Sequence, residues 1–137
     1  MNQIYHEPVL SMEVLHFLIT DVTGVYFDGT VGGGGHAESI LAKLDQKAKY
    51  IAVDLDPDAL SYTKNRLKKY QNVIYRNANF RELASILAQL NISEIDGLFL
   101  DLGVSSHQVD TAKRGFSYMH DSILDMRMND YACIRHR

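Results

Sequence analysis

Val25-Tyr26-Phe27-Asp28-Gly29-Thr30-Val31-Gly32-Gly33-Gly34-Gly35-His36 is the stretch that decides the fold. A short apolar run leads into four consecutive glycines, and an apolar helical pattern follows. Glycine loses more conformational freedom on folding than any other residue. A run of four is kept where backbone passes close to something bulky or takes a positive φ. Between a strand and a helix, that something is usually a nucleotide-like ligand. A second apolar run, Tyr50-Ile51-Ala52-Val53, closes on Asp54. An acidic residue some twenty positions past the glycines suits a ribose diol.

Outward from this unit the pattern repeats. Pro8 in the first turn predicts a helix in which Leu10, Val14, Phe17 and Leu18 share one face. Val25 to Asp28 is the first strand, and Ala37, Ile40, Leu41 and Leu44 give the helix after the glycines. Tyr50 to Asp54 reads as a strand buried on both faces. Asp56-Pro57-Asp58 is an N-cap, a first-turn proline and a second acid at the positive end of a helix that buries Leu60, Thr63, Leu67 and Tyr70. Val73-Ile74-Tyr75 begins the third strand. Asn79 caps a helix whose face carries Phe80, Leu83, Ala84, Leu87 and Leu90. Leu98 to Leu102 is the fourth strand. The order β-α-β-α-β-α-β with short connections predicts an α/β fold with a parallel sheet and helices on both faces. From about Gly103 the periodicity fades. Residues 1–103 form one unit, and 104–137 read as a site loop with an atypical tail.

Composition narrows the class. The chain has 137 residues, 46% hydrophobic and 23% charged, and a formal net charge of −3. That is ordinary globular composition, enough for one domain, with no general attraction to nucleic acid. No apolar run reaches the length of a membrane span, and no secretion signal is visible. Cys133 is the only cysteine, which excludes an internal disulfide and fits a cytoplasmic setting. The six histidines show no paired ligand spacing, so no metal site is expected.

In an open parallel sheet, ligands sit beyond the carboxyl ends of the strands, where strand order reverses. The glycines leave strand one, Asp54 ends strand two, Asn79 and Phe80 follow strand three, and Asp101 ends strand four. Taken singly, each has an ordinary structural explanation: a turn, a cap or a core residue. Taken together, they offer polar and aromatic groups to one crevice. Asp56, directly before Pro57, suits a helix cap, which leaves the diol to Asp54. The glycine run is not a clean G-x-G-x-x-G. With Asp28-Gly29-Thr30 ahead of it, the loop resembles that of S-adenosylmethionine-dependent methyltransferases, where His36 and backbone would hold the amino-acid end of the cofactor.

A more specific resemblance runs through the chain. It comprises His6-x-Pro8-Val9-Leu10-x-x-Glu13-Val14, Asp28-Gly29-Thr30-x-Gly32-Gly33-Gly34-Gly35-His36 and Asp54-x-Asp56-Pro57. Asp101-Leu102-Gly103-Val104-Ser105-Ser106-x-Gln108-x-Asp110, Arg114-Gly115-Phe116-Ser117 and Asp125-Met126-Arg127-Met128 follow in order. Together these resemble the ribosomal RNA small-subunit methyltransferase H, or MraW, family. The resemblance implies a Rossmann-like, S-adenosylmethionine-dependent fold, of which this chain carries the first four strands. It also implies methylation of the exocyclic amine, N(4), of a cytosine in small-subunit rRNA. The cofactor contacts it implies fall on Gly34, Gly35, His36, Asp54, Phe80, Asp101 and Gln108. Asp54 would hold the ribose hydroxyls, Phe80 would lie against the adenine, and Asp101 would sit near the sulfonium. No catalytic residue is assigned. Gln108 comes from the resemblance alone.

Two departures from the family stand out. His107 replaces the usual proline after the paired serines, and the tail after Met128 is unlike the family's. A truncated product is therefore expected, with weak or no methyl transfer. Its apolar fourth strand would form an open sheet edge that invites a homodimer. The expected partner is the small ribosomal subunit, with no membrane. Arg114 and Arg127 are candidates for phosphate contact, although lone loop arginines are more often simply solvated. Two further readings stand beside this one: a nicotinamide-dependent oxidoreductase fragment and a non-catalytic cofactor-binding module.

Overall fold

The computed structural model describes residues 11–102. Four strands form one sheet: β1 (Val25–Asp28), β2 (Lys49–Asp54), β3 (Val73–Asn77) and β4 (Gly97–Phe99). All pair in parallel, in the order β3-β2-β1-β4. The helices are α1 (Ser11–Leu18), α2 (Gly35–Leu41), α3 (Pro57–Arg66) and α4 (Leu83–Gln89), with a 3-10 turn, Phe80–Glu82, leading into α4. Strand order reverses at β1, so the connections leaving β1 and β4 open on the crevice where ligands of such sheets lie.

The two-residue period of the strands sorts the core into two layers. Tyr26, Tyr50 and Ala52 lie on one side with Ala37, Ile40, Leu41, Leu60 and Leu67, and Val14, Leu15 and Leu18 of α1 pack onto that layer. Phe27, Ile51 and Val53 lie on the other with Ile86, Leu83 and Leu87 of α4. Asp28 and Asp54 fall in phase with the first layer. They are polar groups on an apolar face, and both are buried at the ends of their strands.

The local signals explain most boundaries. Asp56 caps α3, its Oδ1 accepting the Asp58 amide at 2.9 Å, with Pro57 in the first turn. Asn79 caps the 3-10 turn rather than a regular α-helix. Its Oδ1 accepts the Arg81 amide, while Glu82 Oε2 accepts the Asn79 amide in a reciprocal box.

Three expectations are corrected. Ala84 is exposed rather than on the core face of α4, where Ile86 is the buried residue. Phe17 does not share the core face of α1 but is 78% exposed, with its ring against His16. The buried stripe runs through Val14, Leu15 and Leu18 and continues to Ile19, which turns Phe17 outward. Leu10, and the start of that helix at Pro8, lie outside the described residues. The fourth strand stops at Phe99 instead of reaching Leu102. Its partner β1 is only four residues long, and the chain turns away at Gly29 after its amide bonds Phe99 O at 3.0 Å.

Candidate cofactor site

The loop from Gly29 to Gly34 is held by neighbours on three sides. The Val31 amide donates to Val53 O at 3.0 Å and the Gly32 amide to Asp54 Oδ2 at 2.8 Å, which ties the loop to β2. Thr63 Oγ1 donates to Gly32 O at 2.5 Å and Arg66 Nη1 to Gly33 O at 3.3 Å, which ties it to α3. Arg66 is itself oriented by Glu38 of α2, at 2.8 Å through Nε. On the β4 side, Thr30 Oγ1 accepts the Asp101 amide at 2.6 Å. Gly32 and Gly34 take φ of +54° and +82°, left-handed values that L side chains rarely adopt. A Cβ at Gly29 would come within 2.5 Å of Leu100 and 2.7 Å of Phe80, so the tip of β1 threads between these two side chains.

Asp54 is buried at the end of β2. Its Oδ1 accepts the Asp56 amide at 2.9 Å and its Oδ2 the Gly32 amide. A carboxylate has about four acceptor positions, so capacity remains for a hydroxyl donor. Burial pushes its carboxyl above the ordinary range, and backbone bonds from Asp56, Gly32 and Leu55 oppose that shift.

Asp28, one rung along, is 1% exposed. Its Oδ2 accepts the Tyr50 hydroxyl at 2.6 Å and its Oδ1 the Thr30 amide at 3.1 Å. Burial pushes this carboxyl up to about 7. The Tyr50 and Thr30 bonds work against that shift, while the charges of Asp54 and Asp101 add to it. Tyr50 is raised in turn, first by burial and then by the neighbouring Asp28 charge.

His36 is buried in the first turn of α2, its ring edge-on to Phe99 at 5.0 Å between centroids. Its Nε2 stands 3.7 Å from Asp101 Oδ2, and the Asp101 side chain is 43% exposed.

Of the residues expected in the crevice, Gly34, Gly35 and His36 leave β1, Asp54 ends β2, Phe80 follows β3, and Asp101 follows β4. Asp54 and Asp101 are tied to the same loop, Asp54 by the Gly32 amide and Asp101 by its own amide to Thr30 Oγ1. Phe80 is half-buried and packs onto the layer of Phe27, Ile51 and Val53 beside Gly29. Gln108 lies outside the described residues. Sequence reading missed Asp28, Tyr50, Thr30 and Thr63 as parts of the site. A signal existed for the first pair. Tyr50 sits in a fully buried run where its hydroxyl needs a partner, and parallel pairing sets it diagonal to Asp28 on the same face.

Comparison with known proteins agrees with this architecture. Residues 3–135 match the model of the MraW methylase family. The chain is 52% identical, over 124 residues, to the ribosomal RNA small subunit methyltransferase H of Clostridium botulinum strain Hall, covering 90% of this chain and 40% of that relative. It thus spans about two fifths of the length of the curated relatives it matches. Among solved structures, the S-adenosylmethionine-dependent O-methyltransferase of Thermotoga maritima superposes with a TM-score of 0.53 at 17% identity, covering 60% of this chain and 33% of that one. Aeropyrum pernix fibrillarin in complex with S-adenosyl-L-methionine gives 0.53 at 12% identity, over 69% of this chain and 41% of that one. These two show the fold, a Rossmann-like methyltransferase sheet. The glycine loop, the strand-end acids and a family match running nearly the length of the sequence agree, and the chain belongs to the MraW methylase family.

Proposed function

We propose that this chain is the S-adenosylmethionine-binding part of an rRNA methyltransferase that modifies N(4) of a cytosine in the small subunit. Residues 1–103 would be its cofactor-binding half. The observation that carries the reading is the convergence of Asp54, Asp101 and His36 around a glycine loop strapped to both neighbouring strands. The residues present fit the cofactor. Asp54 has acceptor capacity left for a ribose hydroxyl. The carboxylate of Asp101, 43% exposed beside His36, suits a ligand whose reacting centre is cationic. A nicotinamide dinucleotide fits worse. Its pyrophosphate would enter beside that carboxylate, and Arg66, the cation touching the loop, is engaged by Glu38.

When bound, the cofactor supplies an electrophilic methyl group on sulfur. The chain's own task is placement, since holding an amine in line with the methyl–sulfur bond lowers the barrier by several kcal/mol, up to roughly 7–11 in the best cases. Asp54 would hold the ribose, and Gly34, Gly35 and His36 would hold the amino-acid end. Phe80 would lie against the adenine, and Asp101 would stand near the reacting centre. Gln108 would reach the cofactor from the loop after β4. The target cytosine must leave its stack to enter.

The substrate proposed is small-subunit rRNA, and the setting proposed is the cytoplasm. None of the described helices is long and apolar enough to cross a membrane. A homodimer through β4 belongs to the same proposal. Leu98 of β4 and Leu100 and Leu102 just beyond it are 47%, 37% and 69% exposed, and β4 is an edge strand among the described residues, the kind of edge that pairs readily. Light scattering of concentrated chain should give a mass above the monomer, and a monodisperse monomer would reject the dimer.

Calorimetric titration separates the two cofactor readings. S-adenosylhomocysteine should bind and NAD should not; the reverse overturns the proposal. Incubation with methyl-labelled cofactor and small ribosomal subunits reads the substrate. Label recovered as N(4)-methylcytidine supports the assignment, and label on another atom refutes it.

A further inference from the structure

The sheet contacts of β4 end at Phe99, where the Gly29 amide makes the last bond between β1 and β4. Asp101 is two residues further on, and its carboxylate still stands 3.7 Å from His36. The bond reaching it from the tip of β1 comes from a side chain, because Thr30 Oγ1 accepts the Asp101 amide at 2.6 Å. Thr30 is fixed from beneath. Its amide donates to Asp28 Oδ1, and Asp28 Oδ2 accepts the Tyr50 hydroxyl at 2.6 Å in a pair that is almost wholly buried.

We propose that Thr30 is a positioning residue for the site: its hydroxyl, seated on the buried Asp28–Tyr50 pair, sets where Asp101 stands opposite His36. The proposal rests on the cofactor reading given above and goes beyond it, since Thr30 acts through another residue rather than on the ligand. The chain of bonds runs from the core of the sheet to its rim. Tyr50 orients Asp28, Asp28 orients the Thr30 backbone, and the Thr30 side chain holds the Asp101 backbone. The first link, at 2.6 Å, is buried and shielded from water, where a hydrogen bond is stiffer than at the surface; the second, at 3.1 Å, is part-buried, and the third is 2.6 Å. The backbone bond at Asp101 fixes the root of a partly exposed carboxylate just beyond the end of β4.

The test uses the 137-residue chain and three substitutions. Thr30→Val keeps the shape and removes the acceptor, Thr30→Ala removes it without setting a methyl against the Asp101 amide, and Thr30→Ser keeps it. S-adenosylhomocysteine affinity should fall about tenfold in the first two, the size of one lost hydrogen bond. Thr30→Ser should recover it to within about threefold. In an Asp101→Ala background, Thr30→Val should cost nothing further, because the residue it positions is gone.

A second readout needs no ligand. The His36 ring signals in an NMR spectrum should move on Asp101→Asn, move the same way on Thr30→Val and Thr30→Ala, and stay in place on Thr30→Ser. Unmoved His36 signals in the valine and alanine variants overturn the proposal, as does an undiminished loss in the Asp101→Ala background. Should the unaltered chain fail to bind S-adenosylhomocysteine, the cofactor reading falls, and the His36 signals still decide the role of Thr30.

Discussion

Gly32 and Asp54, 22 positions apart, are joined by a 2.8 Å bond from the glycine amide to a carboxylate oxygen. The side chain proposed for the ribose is therefore also the one that fixes the floor of the glycine loop. In that proposal, binding and loop geometry share one carboxylate. Both of its oxygens face backbone donors, the second being the Asp56 amide at 2.9 Å.

Asp54→Asn tests that double role. The amide keeps the shape but must turn its NH2 toward one of the two backbone N–H groups, leaving a donor facing a donor. We expect a loss of about 1–3 kcal/mol in unfolding free energy, the cost of an unsatisfied buried donor. Urea denaturation reads the loss, and titration with S-adenosylhomocysteine should show weakened binding in the fraction that stays folded.

Gly34→Ala and Gly32→Ala should differ in a set order. At Gly34, with φ +82°, a Cβ would stand 3.0 Å from Thr63 Cγ2 and 3.2 Å from its Oγ1. Left-handed strain of about 1–2 kcal/mol is then compounded by crowding against the hydroxyl that holds Gly32 O. At Gly32, with φ +54°, the nearest atom is Thr30 O at 3.8 Å, so strain alone applies. Thermal melts should place Gly34→Ala below Gly32→Ala, and equal melting temperatures would contradict the crowding.

Asp28 predicts a pH dependence with a definite sign. Its folded carboxyl is raised from 3.8 to about 7, so the folded state keeps a proton that the unfolded chain releases. The stability it contributes is full below about pH 4 and is lost as pH rises through about 7. The fall is of order a few kcal/mol at about 1.4 kcal/mol per unit. Asp54 is raised as well, so the informative quantity is the difference from Asp28→Asn, which should remove much of the slope between those pH values. Chemical denaturation across that range checks it, and parallel slopes in the two proteins would refute it.

Asn79→Ala removes half of the reciprocal box at the entry to Phe80–Glu82. The expected cost is about 1 kcal/mol, the usual value of an N-cap. Because Phe80 is the first residue of that turn, the same change should also weaken binding of an adenine-containing ligand. Denaturation and calorimetry together read both effects.

The sequence displayed the sheet clearly because its signals were redundant. Apolar runs ending in acids, a proline after Asp56 and a glycine run all pointed to one alternating topology. The ends of elements were harder. The limit of β4 depended on how far β1 extends beside it, which no local pattern in Leu98 to Leu102 encodes. Phe17 was misplaced because it stands three residues after Val14 while Leu15 stands three before Leu18, and only the docking of α1 on the sheet chooses between them. The places of Asp54, at the end of β2, and of Asp101, two residues past β4, were readable from the apolar runs before them. Thr30 and Thr63 were not, because a threonine in a loop or on a helix is ordinary until its partner across space is known.

Thr30 meets Asp101 across 71 positions of chain, against 22 for Gly32 and Asp54. Closing a longer loop costs more entropy, and distant pairings form late. As the polypeptide emerges during translation, the wall bearing Asp54 can assemble well before Asp101 has been synthesised. Asp101 thus joins the site after the other described strands have been made, and small-molecule capture becomes a marker that β4 has docked beside β1.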